Sequence, residues 1–287
     1  MTAAVTGGHP GACPVDVLIP TCDRPAELAT TLAGLAAQHG PGFRVVVSDQ
    51  SAGPPAAGHP AVVSMARVLT HQGRPVRFVR HLPRRGLAEH RAHLLGLATA
   101  GHVLFLDDDV WLRPGALERL YRAIRRLGCG LVGYAVQGLS YLDDRRPHEL
   151  APYSEWECRP RPERVLPGSA EWGRWTLHNA ANLVHLAAEL RLRGDEWRAY
   201  RIAWVGGCVL YERAALEAAG GFGFWPRLPA AHAGEDVYAQ LRVLALRGGA
   251  GILPSGAVHL ESPTTVPDRR VNAVDVLDPF AGIGGAR

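Results

Sequence analysis

The first strong pattern in the chain is the apolar run Val15 to Ile19, which breaks at Pro20-Thr21-Cys22-Asp23-Arg24-Pro25. A short run bounded by turn residues predicts a buried strand. Pro25 lacks an N–H at the position where a helix would leave that group unpaired, so it predicts a helix running to about Gln38. The unit then repeats. Arg44 to Val47 is β-branched and ends at Ser48-Asp49-Gln50-Ser51, a Gly/Pro-rich loop leads to a helical pattern over Ala61 to Thr70, and Val76 to Val79 gives a third strand. Leu87 to Ala98 reads as a helix, His102 to Leu106 as a strand delivering Asp107, Asp108 and Asp109, and Pro114 to Leu127 as another helix. Such alternation predicts a largely parallel sheet with helices on both faces, binding its ligands beyond the carboxyl ends of the strands. Three of those ends are polar here.

From Tyr134 to Tyr200 the alternation stops, in a stretch holding Trp156, Trp172, Trp175 and Trp197 among many Pro, Arg and Glu residues. It reads as an insertion beside the site. Regular patterning returns over Ile202 to Tyr211, a helix near Arg213 to Ala219, the turn Gly220-Gly221-Phe222-Gly223, a helix from Glu235 to about Arg247 and a strand near Ala257 to His259. After Pro263 no periodicity is evident.

Composition narrows the function classes. With 287 residues and 47% hydrophobic content the chain can bury one large core, or a core and a small subdomain. All 31 basic residues are arginine, and the net charge of +4 is spread along the sequence, which argues against a nucleic-acid partner. Arginine does suit a diphosphate, because its planar fork pairs donors with phosphate oxygens. Cys13, Cys22, Cys129, Cys158 and Cys208 are scattered and form no C-x-x-C pair, so neither a disulfide framework nor a zinc site is expected. A reducing cytoplasm fits. Neither a signal peptide nor a membrane span is expected, while exposed arginines leave room for peripheral contact with acidic lipids on the cytoplasmic face.

The acidic triplet carries the chemistry. If the chain stays extended, Asp107 and Asp109 share one side and Asp108 takes the other, so a carboxylate pair can hold a hard cation and a ribose hydroxyl together. The same triplet also suits a solvated acidic turn ahead of the helix near Pro114.

In their order along the chain, these segments resemble the family 2 glycosyltransferases. Val17 to Pro25 looks like the opening strand and loop of that family, and Val46 to Ser51 is similar to its second strand end, with Ser48 where the first of two acids is usual. Gly86-Leu87-Ala88-Glu89-His90-Arg91 resembles its G-x-x-x-x-R-N segment, with Ala92 in place of the asparagine. Asp107-Asp108-Asp109 matches D-x-D, Gly220-Gly221-Phe222 and Gly234-Glu235-Asp236 match G-G-F and E-D, and Pro254 to His259 resembles the closing segment. The resemblance implies the GT-A fold: an α/β, Rossmann-like, mostly parallel central sheet with helices on both faces and a tryptophan-rich acceptor-side insertion. It also implies a division into a tail at 1–14, a nucleotide-sugar-binding half at 15–133, the insertion at 134–201, an acceptor and catalytic half at 202–262, and a tail at 263–287.

The site residues implied are Asp236, with Glu235 beside it, as catalytic base; Pro20, Thr21, Asp23, Arg24, Asp49, Arg91, Asp107 and Asp108 around the nucleotide-sugar; and Asp109 with His259 on a divalent cation, Mn2+ or Mg2+. Trp172, Trp175, Gly207 and Trp225 are candidates for the acceptor side, although buried tryptophan is commonly core. The activity implied is metal-dependent, inverting transfer from a nucleotide-diphosphate sugar, UDP-linked first, to a hydroxyl of a glycan, a lipid-linked molecule or a small molecule. A retaining GT-A transferase and a non-catalytic sugar-nucleotide binder remain as alternatives. A nucleotidyltransferase of pyrophosphorylase type would need a glycine-rich phosphate loop, which Val15 to Pro25 lacks. An Asp236 carboxylate at a helix N-terminus is expected to be stabilised in its ionised form.

Overall fold

The structure, a computed structural model, describes residues 13–283, so most of the tail expected at 1–14 and the last residues of that at 263–287 lie outside the described residues. The first half alternates as the apolar pattern predicts: β1 (Val15–Thr21), α1 (Pro25–Ala36), β2 (Phe43–Asp49), α2 (Pro60–His71), β3 (Val76–Arg80), α3 (Leu87–Gly96), β4 (His102–Leu106), β5 (Val110–Leu112) and α4 (Ala116–Leu127). Then follow β6 (Leu131–Gly133), β7 (Gln137–Gly138), α5 (Asn182–Glu189), β8 (Arg198–Tyr200), β9 (Cys208–Glu212), α6 (Arg213–Ala218), α7 (Glu235–Arg247), β10 (Gly249–Leu253), β11 (Ala257–His259) and α8 (Ala273–Val276).

Eight strands form one sheet in the order β3-β2-β1-β4-β9-β6-β10-β8, in which β8 and β9 run antiparallel to their neighbours and the rest are parallel. Every residue of β1 is buried, as befits a strand flanked on both edges and covered on both faces. That includes Asp16, whose carboxylate is satisfied by the Thr99 and Ala100 amides at 2.7 and 2.9 Å and by the Arg44 guanidinium. A buried acid is tolerated only with such partners.

One hydrophobic cluster packs on each face. α1 and α4 cover the first with Leu28, Leu32, Leu35, Leu117, Leu120 and Ile124; α3, α6 and α7 cover the second with Leu94, Leu216, Tyr238 and Val243. The α4 residues recur at helical spacing, and each buried leucine contributes about 1.5–3 kcal/mol. A second, three-stranded sheet, β5-β11-β7, stands at the carboxyl end of β4 and presents His259 there.

Between 134 and 201 only β7, α5 and β8 are regular, joined by 3-10 turns. The segment after Pro263 is not loose. Ala233 and Ala273 exchange backbone bonds with the 271–273 stretch and the α7 entry, Tyr238 donates to the Asp278 carbonyl at 3.2 Å, and Arg242 donates to that of Pro279 at 2.9 Å. The tail braces α7, and with it Glu235 and Asp236. Among the described residues no helix is long and apolar enough to cross a membrane.

Candidate active site

β1, β2 and β4 end together, and their loops are knitted to one another. Asp23, in the left-handed region at φ 57, receives the Ala52 amide at 3.0 Å and donates its own amide to Ser51 Oγ at 2.9 Å. Pro20 and Thr21 are buried beneath this loop pair. Asp49 is 3% exposed, with Oδ1 accepting from the Ser51 amide and Oδ2 from the Ala56 amide, both at 2.7 Å. It holds the loop of residues 49–56 in shape, and each oxygen keeps a lone pair for a further donor.

Residues 107–109 turn rather than extend, which overturns the alternation expected of them: the Val110 amide closes back on the Asp107 carbonyl at 3.3 Å. Asp108 and Asp109 therefore face the same cation. Arg24 Nη1 lies 2.7 Å from Asp109 Oδ2 and 3.3 Å from Asp108 Oδ1, and Nη2 donates to the Pro263 carbonyl. Asp108 also accepts from the Thr21 hydroxyl at 2.7 Å and is 6% exposed, which puts it in the wall of the site instead of in the opening. Burial, only partly offset by Thr21 and Arg24, pushes its carboxyl up to about 7. Burial also opposes the charge on Asp109, but His259 and Arg24 outweigh it and hold that carboxyl below the ordinary value.

His259 Nε2 stands 3.4 Å from Asp109 Oδ2, and its Nδ1 accepts from the Glu261 amide at 3.0 Å. That bond orients the ring, since a nitrogen receiving an N–H leaves the other as the protonated face in neutral histidine. Asp109 accepts from it and shifts the imidazole upward.

Asp107 points the other way. Its Oδ1 is 2.9 Å from Arg91 Nη2, and Arg91 Nε is 3.0 Å from Glu235 Oε1, so one arginine on α3 ties the end of β4 to the start of α7. Arg91 is 5% exposed, with its guanidinium 5.6 Å from the centre of the Phe105 ring. Burial alone would lower its pKa, and the two carboxylates hold it well above. A guanidinium so placed clamps the two protein acids together.

The glycine of the same segment has a steric reason. Gly86, at φ 102, caps α3 where an added Cβ would come within 2.5 Å of His232 Cε1 and 2.7 Å of the Ala230 carbonyl. His232 in turn accepts from the Ala88 amide at 3.1 Å.

The two acids of α7 are divided by Arg91. Glu235 is buried and held, while Asp236 is half-buried and makes no hydrogen bond to another side chain among the described residues. Burial, then the neighbouring Glu235 charge, raise the Asp236 carboxyl to about 7, opposite to the direction expected from the helix terminus alone. A carboxylate half-protonated near neutrality is well matched to accepting a proton.

The tryptophans do not converge. Trp172 stacks on Trp204 at 4.6 Å between ring centres, Trp225 packs against the second core cluster, and Trp175 is exposed. Gly207 does border the site, with its carbonyl receiving the Asp107 amide at 2.9 Å and its Cα so close to Val136 that a Cβ would meet Cγ1 at 2.8 Å. Sequence reasoning missed Glu261, two residues past His259, and the cavity beside it. That cavity, about 330 Å³, opens between the 136–141 and 178–180 stretches and the 259–261 segment. A larger one of about 500 Å³ lies between α2 and β3, lined by Val63, Arg67 and Phe78, and contains no carboxylate.

A search of the curated proteins returns no match. Among solved structures, the mannosyltransferase PcManGT from Pyrobaculum calidifontis, in complex with GDP-Man and Mn2+, is similar at 19% identity and a TM-score of 0.52, over 88% of this chain and 58% of that one. Residues 1–349 of S. aureus TarS match at 16% identity and 0.53, over 85% and 59%; the same protein in complex with UDP-GlcNAc matches at 14% and 0.53, over 88% and 60%. This chain thus spans less than two thirds of those solved chains, and the likeness speaks for the fold, which is GT-A. The profile of glycosyl transferase family 2 matches residues 16–175, more than half of the 287-residue sequence. The chain belongs to glycosyl transferase family 2.

Proposed function

We propose that this protein transfers a sugar from a nucleotide-diphosphate donor to an acceptor hydroxyl with inversion, using a divalent cation and Asp236 as base. The observation that carries the reading is the split between the two α7 acids: Glu235 is spent on Arg91, whereas Asp236 is uncommitted and poised near neutral pH.

Asp109 and His259 fit a divalent cation in kind, since a carboxylate oxygen and an imidazole nitrogen 3.4 Å apart suit Mn2+ or Mg2+, with water and diphosphate oxygens supplying the rest of the shell. Two adjustments accompany occupancy. Arg24 has to leave Asp109 Oδ2, and the neutral His259 ring has to carry its proton on Nδ1 instead of Nε2, which gives up the Glu261 amide bond and frees the Nε2 lone pair. A divalent cation held by Asp109 and His259 would supply Lewis-acid neutralisation of the charge on a leaving diphosphate. Arg24, freed from the acids and already at the mouth of β1, is then available to the same diphosphate oxygens. PcManGT binds GDP-Man with Mn2+ and TarS binds UDP-GlcNAc, which supports a nucleotide-sugar here.

The chain's own residues do the rest. Asp107, clamped by Arg91, is set at a fixed distance from the α7 acids, so the donor's ribose side and the base are held in one frame. Asp236 takes the proton from the attacking hydroxyl, and a single displacement needs no second catalytic carboxylate. Asp49 and Asp23 shape the base-side loops as positioning residues. UDP-sugars are the first donors to test, with GDP-sugars alongside. Cation-dependent consumption of one of them, lost with Asp236→Asn, supports the reading; a protein that binds these donors but turns none over is a non-catalytic binder instead.

A further inference from the structure

The cavity beside His259 differs from the rest of the surface in how it is built. Its walls include Val136, Gly138, Tyr141, His178, His259 and Glu261, a mixture of polar and apolar groups. Its volume of about 330 Å³ lies at the low end of the roughly 300–1,000 Å³ typical of small-molecule sites. His178 is held by the Tyr200 hydroxyl at 3.1 Å, and burial pushes its pKa down to about 4, so the wall offers a neutral imidazole.

The cavity adjoins the acids already described. Val136 presses on Gly207, whose carbonyl receives the Asp107 amide, and His259 faces Asp109. Glu261, at φ 60, joins the two regions: its amide orients His259 while its carboxylate takes both the amide and the hydroxyl of Ser140. The turn carrying Tyr141 is thereby fastened to the strand end carrying His259.

That turn has an unusual outer face. Leu139, Tyr141 and Leu142 are each more than 40% exposed, three large apolar side chains within four residues, of which Tyr141 lines the cavity and the two leucines flank it in the chain. Isolated exposed leucines are ordinary, but a cluster bordering a polar recess is what an amphipathic ligand requires.

We propose that this cavity is the acceptor subsite, and that it takes a hydroxylated ring bearing an apolar substituent, the ring inside against Tyr141 and the substituent over Leu139 and Leu142. The proposal rests on the glycosyltransferase reading. Its test uses methyl and octyl β-glucopyranoside, the latter below its micelle concentration, titrated into the full chain with ligand-observed NMR. UDP and GDP with Mn2+ are titrated in parallel.

On the unaltered protein the octyl glucoside should bind at least about tenfold more tightly than the methyl one, because the chain leaves water for the leucine lip. In the Leu139→Ser/Leu142→Ser variant that preference should fall to within about threefold, while the methyl glucoside binds as before. If the double variant does not fold, Leu139→Ser alone serves. Equal affinities on the unaltered protein, or a preference that survives the substitutions, overturn the proposal. So does leucine-dependent binding to plain phosphatidylcholine vesicles without any glucoside preference, which would make the lip a membrane contact. Nucleotide binding without glucoside binding sinks the subsite alone; absence of nucleotide binding sinks the reading beneath it.

Discussion

Arg91 Nε lies 3.0 Å from Glu235 Oε1 with both side chains buried, and in the proposed reading this contact leaves Asp236 as the α7 acid free to act. The consequence for catalysis is an asymmetry between adjacent residues. Asp236→Asn should keep donor and cation binding and lower kcat by about 10²-fold or more, the range expected for loss of a general base. Glu235→Gln should lower the melting temperature more than it lowers kcat, because it weakens the partner of a buried guanidinium. Steady-state kinetics with thermal melts of both variants check this; a larger kcat loss at Glu235 would move the base by one residue.

The raised Asp236 pKa fixes the sign of the pH dependence. As pH falls through about 7 the carboxyl takes up a proton and cannot accept another, so kcat should fall with acid. The stability effect runs the opposite way. With a folded-state pKa raised above the unfolded value of 3.8, the folded chain gains stability from this group at low pH and loses it as pH rises towards about 7. Asp236→Asn should therefore melt higher than the unaltered protein at pH 8, with the gap closing near pH 4. A gap that widens in acid would contradict the assignment of this pKa.

Gly86 tests the packing beneath the site. Gly86→Ala puts a Cβ at φ 102 against His232 and the Ala230 carbonyl, and left-handed strain alone costs about 1–3 kcal/mol. Denaturant unfolding should show a loss at the upper end of that range; an unchanged midpoint would mean that the α3 entry relaxes freely.

Arg24 and the cation compete for Asp109. In the absence of nucleotide, Arg24→Gln should tighten Mn2+ binding by about fivefold, the order of ~1 kcal/mol for releasing one partly exposed ion pair. Asp109→Asn should weaken it. Calorimetric titration of both variants reads this directly, and weaker Mn2+ binding in Arg24→Gln would show that the arginine assists the cation site.

Much of the frame was legible because the physics is local. Val15 to Ile19 and His102 to Leu106 are apolar runs stopped by polar residues, and they became β1 and β4. Glu235 to Arg247 was readable to the residue, because Gly234 precedes it and glycine follows. β6 and β10 were not: Leu131–Gly133 is too short for any period, and three of the five residues of Gly249–Leu253 are glycine or alanine, its burial coming from neighbouring strands. At the site, the residue types were legible and their pairings were not. Spacing cannot reveal that 107–109 turn, that Arg24 spans two acids, or that Arg91 serves Asp107 and Glu235 together, since each contact joins residues far apart in the chain. For the tryptophans the sequence leaves two uses open, since a large aromatic ring serves a core and a sugar platform equally well, and for Trp172 the contact with Trp204 shows the packing use.

Single displacement with Asp236 as base is tested by donor hydrolysis, which needs no knowledge of the acceptor. The measurement is proton NMR of the first sugar released from an α-linked nucleotide-sugar, followed before mutarotation equilibrates the anomers. With inversion the β-anomer should form first, and Asp236→Asn should abolish its formation. Initial release of the α-anomer would contradict it.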